Sequence, residues 1–146
     1  MDNHLVLAAL GADKTGIVDE IARTASESKC SIADSRMVVM GQEFSLIMMV
    51  SGTWDAIAKF ETQVPMLERR LNLSIITKRT AQREPQRESM PYNVDVIALD
   101  NPGIVHEIAN FFASQGINIE SLETSNYAAP HTGSPMFALS MVVNIP

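Results

Sequence analysis

Short apolar runs alternate with amphipathic segments through the first eighty residues of the chain. The runs are rich in Leu, Ile, Val and Met and have the length of single strands, so they predict β-structure. Four strands are predicted in this way, at residues 4–10, 31–40, 44–50 and 73–78. Gly41 and Gln42 separate the second run from the third, which predicts a hairpin.

Two segments between these runs repeat apolar residues at helical spacing. The first follows a polar turn, and its stripe consists of Ile17, Ile21, Ala22 and Ala25. Thr53 is a predicted N-cap for the second helix, which runs to Leu71. Pro65 lies inside this helix and is expected to kink it or to start a separate last turn, because proline cannot donate the helical hydrogen bond.

The predicted order is strand, helix, strand, strand, helix, strand. Two interleaved βαβ crossovers satisfy this order when both helices pack on one face of a four-stranded antiparallel sheet. The fold class is therefore α+β, with a ferredoxin-like sandwich. Its own helices leave the other face of the sheet bare, and a bare apolar face requires a partner, for which a second copy of the unit is the obvious candidate.

A second unit repeats the first at an offset of 87 residues. The segment GIVDEIA at position 16 reappears as GIVHEIA at position 103, in register with its preceding strand and following strand. The repeat predicts strands at residues 94–99, 117–126 and 136–145 and a helix at 102–114. The domains predicted are thus residues 1–80 and 92–146, joined by a polar, charged linker at 81–91.

The second unit is incomplete by comparison with the first. Its predicted elements end at Pro146, before an equivalent of the second helix and fourth strand. Either the sequence is part of a longer protein or another chain completes this sheet. The first explanation is favoured.

Composition and charge argue against a nucleic-acid-binding, a membrane-spanning or a secreted protein. The chain has 146 residues, 46% hydrophobic and 19% charged, with a formal net charge of −6. A nucleic-acid binder usually carries a basic surface, so direct nucleic-acid binding is not expected. No apolar run approaches a membrane span, no signal peptide is recognisable, and Cys30 is the only cysteine, so a cytoplasmic protein is expected.

The turns that open the two repeated helices carry the candidate chemistry. Asn101 is a predicted N-cap, Pro102 suits the first helical position, and Gly103 leaves the helix start open to a ligand. The N–H groups there favour a carboxylate, and Asp100 can receive an ammonium group. An amino-acid zwitterion fits both. The first unit has Asp13, Lys14, Thr15 and Gly16 in the corresponding turn. Taken alone, each turn is explained better by a capped helix start without a ligand, and the occurrence of two copies in register shifts the balance towards a ligand site.

These turns, followed by the segment GINI at 116–119, resemble the ACT domain family, whose members bind amino acids at interfaces between paired domains. The resemblance implies ligand contacts from the turn and from the start of the second strand. It therefore adds Ile104 and Asn118 in the second unit and Ser31 in the first, and it implies a homo-oligomer with no cofactor beyond the amino-acid effector.

Two ACT units joined by a short charged linker resemble, over essentially the whole chain, the glycine cleavage system transcriptional repressors of Gram-negative bacteria. That resemblance implies a regulator that responds to glycine. Because the chain has no DNA-binding motif, such a regulator should act through a DNA-binding partner, which in this family is a LysR-type activator.

The sequence supports an enzyme or an RNA-binding protein less well than a regulator. An enzyme is not expected, because Cys30 has no nearby histidine in sequence and His106 has no second histidine at metal-binding spacing. An allosteric ACT module of a metabolic enzyme remains the alternative to a repressor. An RNA-binding sheet is disfavoured, because Phe44 is the only aromatic residue on the predicted central strands of the first unit.

Overall fold

The fold is taken from a computed structural model that describes residues 2–81 and 89–146. The chain divides into two compact units, and each is described by itself. Residues 82–88, which make up most of the predicted linker, lie outside the described residues. Strand β5 begins at Met90, so Met90 and Pro91 belong to the second sheet and not to the linker.

The first unit has the predicted order of elements. These are β1 (Asn3–Ala12), α1 (Ile17–Glu27), β2 (Ser31–Met40), β3 (Glu43–Gly52), α2 (Trp54–Leu71) and β4 (Leu73–Thr80). The sheet order is β2-β3-β1-β4, and every neighbouring pair is antiparallel. The ferredoxin-like order predicted from the sequence is therefore confirmed.

Alternate residues of the strands form the core of the first unit. On β1, Leu5 and Leu7 point towards the helices and are fully buried, whereas Leu10 on the other face is exposed. Ile21 on α1 and Phe60 on α2 cover the buried face, and both are fully buried. The helices thus cover one face of β1, β3 and β4, whereas β2 is exposed along its whole length. The other face of the sheet carries exposed apolar side chains.

Helix α2 continues through Pro65 as one element of 18 residues. The predicted separate last turn is therefore absent from it. Its buried stripe lies on both sides of the proline, with Val64 before it and Leu67 after it, so packing on the sheet holds the helix together across the missing hydrogen bond. The predicted cap is confirmed, because the Thr53 hydroxyl accepts a hydrogen bond from the Ala56 N–H at 3.2 Å.

The second unit comprises β5 (Met90–Leu99), α3 (Ile104–Ser114), β6 (Asn118–Ala128) and β7 (Pro135–Ile145). Its sheet order is β5-β7-β6, again antiparallel. Its fully buried core lies on the central strand alone and consists of Phe137, Leu139, Met141 and Val143. None of the α3 residues is fully buried.

None of the helices in the described part of the chain is both long enough and apolar enough to cross a membrane.

Candidate ligand-binding turns

In the first unit, the turn between β1 and α1 is fixed by backbone hydrogen bonds. The Asp13 N–H donates to the Gln42 carbonyl at 3.0 Å, which ties the turn to the β2–β3 hairpin. Gly16 adopts φ 94°, a left-handed conformation that other residues rarely adopt, and its carbonyl accepts the Glu20 N–H at 3.1 Å. No side chain caps α1, so the N–H groups of its first turn remain open to an outside acceptor.

The corresponding turn of the second unit has the same geometry. The Asp100 N–H donates to the Pro135 carbonyl at 3.0 Å, which again ties the turn to a hairpin. Gly103 adopts φ 91°, its carbonyl accepts the Glu107 N–H at 2.9 Å, and no side chain caps α3. The two turns are therefore structural equivalents, as their shared sequence predicts.

The predicted start of the second repeated helix is wrong. Gly103, and not Asn101, is the N-cap, and Pro102 precedes the helix instead of occupying its first position. The Asn101 side chain donates back to the Leu99 carbonyl at 3.3 Å, so it holds the turn and leaves the helix start uncapped. The glycine takes the cap position because its left-handed φ lets the chain turn sharply from the strand into the helix.

Both helix starts face open space. A Cβ atom built on Gly16 or on Gly103 would have no atom within 4 Å. A small anion can therefore approach the first-turn N–H groups without displacing a side chain. The same openness means that each turn supplies only one wall of a binding site.

Two grooves in the described part of the chain lie away from the turns. A groove of about 330 Å³ runs between α1 and α2, where it is lined by charged side chains such as Lys59 and Arg70. A second groove, of about 460 Å³, crosses the sheet of the second unit near Asp95 and Glu123. We place the candidate site at the turns because each combines first-turn N–H groups that no side chain caps with an aspartate at the start of the turn. In the second turn the Ile104 N–H already donates to the Asn101 carbonyl at 3.4 Å.

The second turn contains a residue that sequence reasoning missed. The Asn126 side-chain amide donates to Asp100 Oδ2 at 2.8 Å, across 26 positions of sequence. Asn126 lies opposite Phe137 on β7, at the end of the sheet next to the turn. The repeat offset places Val39 at the corresponding position of the first unit, where no amide is available. That substitution between the two repeats is the sequence signal that marks Asn126.

Two of the predicted ligand residues lie far from the turns. Ser31 pairs with Ser51, which pairs with His4 near the beginning of β1. Asp13 follows the other end of that strand, so roughly 30 Å of strand separates it from Ser31. Within one unit these residues cannot contact the same small ligand.

The second unit repeats this separation. Asn118 pairs with Asn144, which pairs with Pro91 at the beginning of β5. Asp100 follows the far end of the same strand, again roughly 30 Å away. The residues that the fold brings together are therefore the four turn positions of each unit and the first residue of each helix, Ile17 or Ile104.

The single cysteine is a core residue, as predicted. Cys30 is 7% exposed and lies beside Gly52. Burial raises the pKa of its thiol, which keeps the sulfur protonated and poorly nucleophilic. Among residues 2–81 and 89–146, no group of three or more metal-binding side chains comes together.

Comparison with known proteins decides the family. The ACT domain family profile matches residues 3–78, which is more than half of the chain. The chain belongs to the ACT domain family. ACT domains are regulatory modules, so this membership supports a regulatory role.

Named relatives cover the whole chain. The glycine cleavage system transcriptional repressor of Escherichia coli K12 is 34% identical over 146 residues, which span 99% of this chain and 76% of the relative. The protein of the same name from Shigella flexneri gives the same values. By this identity and coverage the chain is a member of the glycine cleavage repressor group of ACT proteins.

Solved structures show the same fold. A crystal structure assigned provisionally as a glycine cleavage system transcriptional repressor has a TM-score of 0.71 and 30% identity, and the match covers 99% of this chain and 81% of that one. A structure from Galdieria sulphuraria of unknown function has a TM-score of 0.77 at 26% identity, covering 100% and 84%.

Proposed function

We propose that this protein is a glycine-responsive regulator that restrains expression of the glycine cleavage operon through a DNA-binding activator. The observation that carries the proposal is the pair of open, uncapped helix starts, each beside an aspartate, in a chain that is 34% identical to a named glycine cleavage repressor. Such a regulator works in the cytoplasm.

The chemistry of each turn suits a small zwitterion. The ligand carboxylate accepts hydrogen bonds from the first-turn N–H groups, where the helix dipole adds roughly 0.3–1 kcal/mol for an exposed charge. The ligand ammonium group pairs with Asp13 in the first unit or Asp100 in the second. Since Asn126 occupies only one carboxylate oxygen of Asp100, the other oxygen can accept from the ligand.

The size of the ligand sets its affinity. Glycine has few atoms with which to make contacts, so the expected dissociation constant lies between about micromolar and millimolar, or roughly −8 to −4 kcal/mol. The second wall of the site must come from outside the unit that supplies the turn. Binding then changes the surface offered to a partner only by as much as the ligand favours one arrangement over the other.

Charge supports indirect action on DNA. The chain carries a formal net charge of −6, which repels a phosphate backbone. A separate DNA-binding protein is therefore the proposed target, and a LysR-type activator is the candidate. A purified activator should retain this protein on a column, and this protein alone should not shift operator DNA in a gel. Failure of retention with and without glycine would exclude this route of repression.

Calorimetric titration with glycine tests the ligand, with serine and alanine as competitors. We expect saturable heat for glycine. Asp100→Ala should weaken binding at the second turn, and Asp13→Ala, the matched change in the first unit, should weaken binding at the first. If only one variant loses heat, only that turn binds. If millimolar glycine gives no heat with the unmodified protein, the turns are helix starts alone and the proposed effector is wrong.

A further inference from the structure

The groove between α1 and α2 lies on the helical side of the first unit, away from the turns. We call it the helix groove. Its volume of about 330 Å³ is within the roughly 300–1,000 Å³ that small-molecule sites occupy. Glu20 lines it from α1, and Ser28 lines it from the C-cap of that helix. The opposite wall is a stripe at helical spacing on α2 that consists of Lys59, Gln63, Met66 and Arg70.

Two buried polar atoms of this groove lack a hydrogen bond. Among the residues that the structure describes, three buried side-chain atoms have no hydrogen-bond partner, and Glu20 Oε2 and Ser28 Oγ are two of them. Ser28 is only 2% exposed. Thr24 lies between them on the same helix, and its hydroxyl donates to the Glu20 carbonyl at 2.9 Å. Because buried polar groups in proteins are normally hydrogen-bonded, two such exceptions in one groove point to an absent ligand.

The ion pair at one end of the helix groove is loose. Arg70 Nη1 lies 3.5 Å from Glu20 Oε2 and makes no hydrogen bond to it. The other two ion pairs in the described part of the chain are closer, at 3.0 and 2.6 Å, and both are hydrogen-bonded. Arg70 Nη2 donates to the Met66 sulfur at 3.6 Å, and a thioether is a weak acceptor. Both charged groups can therefore take stronger partners.

The directions of the helices place neutral polar groups at the other end. Helices α1 and α2 follow β1 and β3, which are antiparallel, so the helices also run in opposite directions. Since Glu20 contacts Arg70 near the end of α2, Ser28 lies towards Lys59 near the start of α2. Ser28 is eight positions beyond Glu20, or about 12 Å along the helix axis. A ligand that reaches both ends must therefore be longer than glycine.

The charges that line the helix groove balance. Arg23 is paired with Asp19 at 3.0 Å. Lys59 and Glu27 carry opposite charges at the Ser28 end, as Glu20 and Arg70 do at the other end. A ligand without net charge therefore fits the groove better than an anion or a cation does.

We propose that the helix groove binds a free amino acid with a neutral polar side chain, for which glutamine is the probe. Its ammonium group donates to the Glu20 carboxylate, and its carboxylate accepts two hydrogen bonds from the Arg70 guanidinium. Its side-chain amide, which both donates and accepts, lies towards Ser28, Gln63 and Lys59. This site is separate from the turns and does not depend on the glycine response proposed for them.

Titration of the full-length protein with L-glutamine tests the site through the methionine methyl resonances in the NMR spectrum. Met66 lines the groove, whereas Met48 is buried in the core, and Met66→Leu assigns the reporting resonance. We expect a saturable shift of Met66 and none of Met48, with a dissociation constant between about micromolar and millimolar. Glutaramate, which lacks the ammonium group, should bind at least about tenfold more weakly because it leaves Glu20 without a donor.

A neighbouring arginine provides the matched control. Arg70→Gln and Glu20→Gln should each weaken glutamine binding at least about tenfold, because each removes a charge-assisted hydrogen bond. Arg69→Gln changes an exposed arginine that does not line the groove, and it should leave the affinity within about twofold. Ser28→Ala should weaken binding by a few fold. Circular dichroism checks that each variant is folded.

The turn variants separate this proposal from the glycine response. Asp13→Ala and Asp100→Ala should leave the shift of Met66 with glutamine unchanged, whatever they do to glycine binding. The proposal is overturned by the absence of a Met66 shift at tens of millimolar glutamine, by equal binding of glutaramate, by equal effects of Arg70→Gln and Arg69→Gln, or by loss of the shift in a turn variant.

Discussion

The two units begin with the same strand, turn and helix but bury very different cores. In the first, 19 apolar residues form one buried cluster, drawn from both helices, from β1, β3 and β4 and from Cys30 just before β2. In the second, only four side chains of the central strand β7 are fully buried, and the residues of α3 that pack on them, such as Ile108 and Phe112, are partly exposed. The first unit has a helix α2 and a strand β4 for which the described part of the second has no equivalent.

This difference shows that the geometry of the turns and the size of the core are determined separately in the two units. The turns keep the same geometry in both units, with a left-handed glycine at φ 94° and φ 91°. Their shape therefore depends on local backbone chemistry and on one bond to the neighbouring hairpin. The depth of the core depends instead on how many elements cover the sheet. The geometry of the turn can therefore be preserved while the stability of its unit changes.

Truncating a core side chain should show the largest difference in stability between the two units. Phe60→Ala removes a fully buried ring from α2 and should destabilise the first unit by about 3–5 kcal/mol. Urea unfolding followed by the fluorescence of Trp54, the single tryptophan, reports this unit. The control is Phe111→Ala on α3, where the ring is 58% exposed, and it should leave the Trp54 transition within about 0.5 kcal/mol. Equal shifts would contradict the separation into two cores.

Amide hydrogen exchange should be slower in the first strand of the first unit, β1, than in the first strand of the second unit, β5. Strand β1 is hydrogen-bonded on both sides, to β3 and β4, whereas among the described strands β5 is hydrogen-bonded only to β7. Amides of β1 should exchange at least about tenfold more slowly than those of β5, because they open only with a larger core. Mass spectrometry of peptides covering the two strands measures this. Faster exchange in β1 would show that the smaller core is not the weaker one.

Replacing either turn glycine by alanine should lower the stability of its unit by the same amount. Gly16→Ala and Gly103→Ala each force a Cβ into a left-handed conformation, at a cost of about 1–2 kcal/mol. Since a Cβ would meet no atom at either position, strain in φ is the only contribution. Thermal unfolding and exchange of the following helix measure the loss. Thr15→Ala, beside Gly16, is the control and should have little effect. A cost in one unit alone would show that the turns are not equivalent.

The side-chain amide of Asn126 should stabilise the second turn, and the first turn should have no equivalent contribution. Asn126→Ala removes the 2.8 Å bond to Asp100 and should destabilise the second turn by about 0.5–1 kcal/mol. Exchange of the amides at 100–104 should rise by a few fold. Val39→Ala, at the equivalent position in the first unit, should leave the first turn unchanged. Unaltered exchange after Asn126→Ala would mean that the bond does not hold Asp100 in solution.

The smallest effect concerns pH and Cys30. Burial raises the pKa of this thiol in the folded state above its unfolded value of about 8.5. The unfolded thiol therefore ionises first, so the contribution of Cys30 to stability is complete below about pH 8.5 and declines as the pH rises above it. Urea unfolding at pH 7 and pH 9.5 should show this decline, and Cys30→Ala should lack that part of it. An identical decline in the variant would assign it to other groups.

The order of elements and the duplication could be predicted from the sequence because each rests on local patterns. Apolar runs, helical spacing and the cap at Thr53 depend on residues within a few positions of one another. The repeated motif at Gly16 and Gly103 also located both candidate turns, although the predicted N-cap of the second repeated helix was Asn101 and not Gly103. These features needed no knowledge of distant contacts.

The tertiary structure decided which of the candidate residues lie close together. Antiparallel pairing carries Ser31 and Asn118 to the end of the sheet opposite the turns, a result of strand register over the whole unit. The same pairing brings Asn126 to Asp100 across 26 positions. Whether Pro65 ends a helix also depended on tertiary packing, because the buried stripe on both sides of it outweighs the missing hydrogen bond. The sequence by itself determined the helices and strands and their order, because local propensity and periodicity encode them. Only the pairing of strands distant in sequence determined which residues lie next to one another.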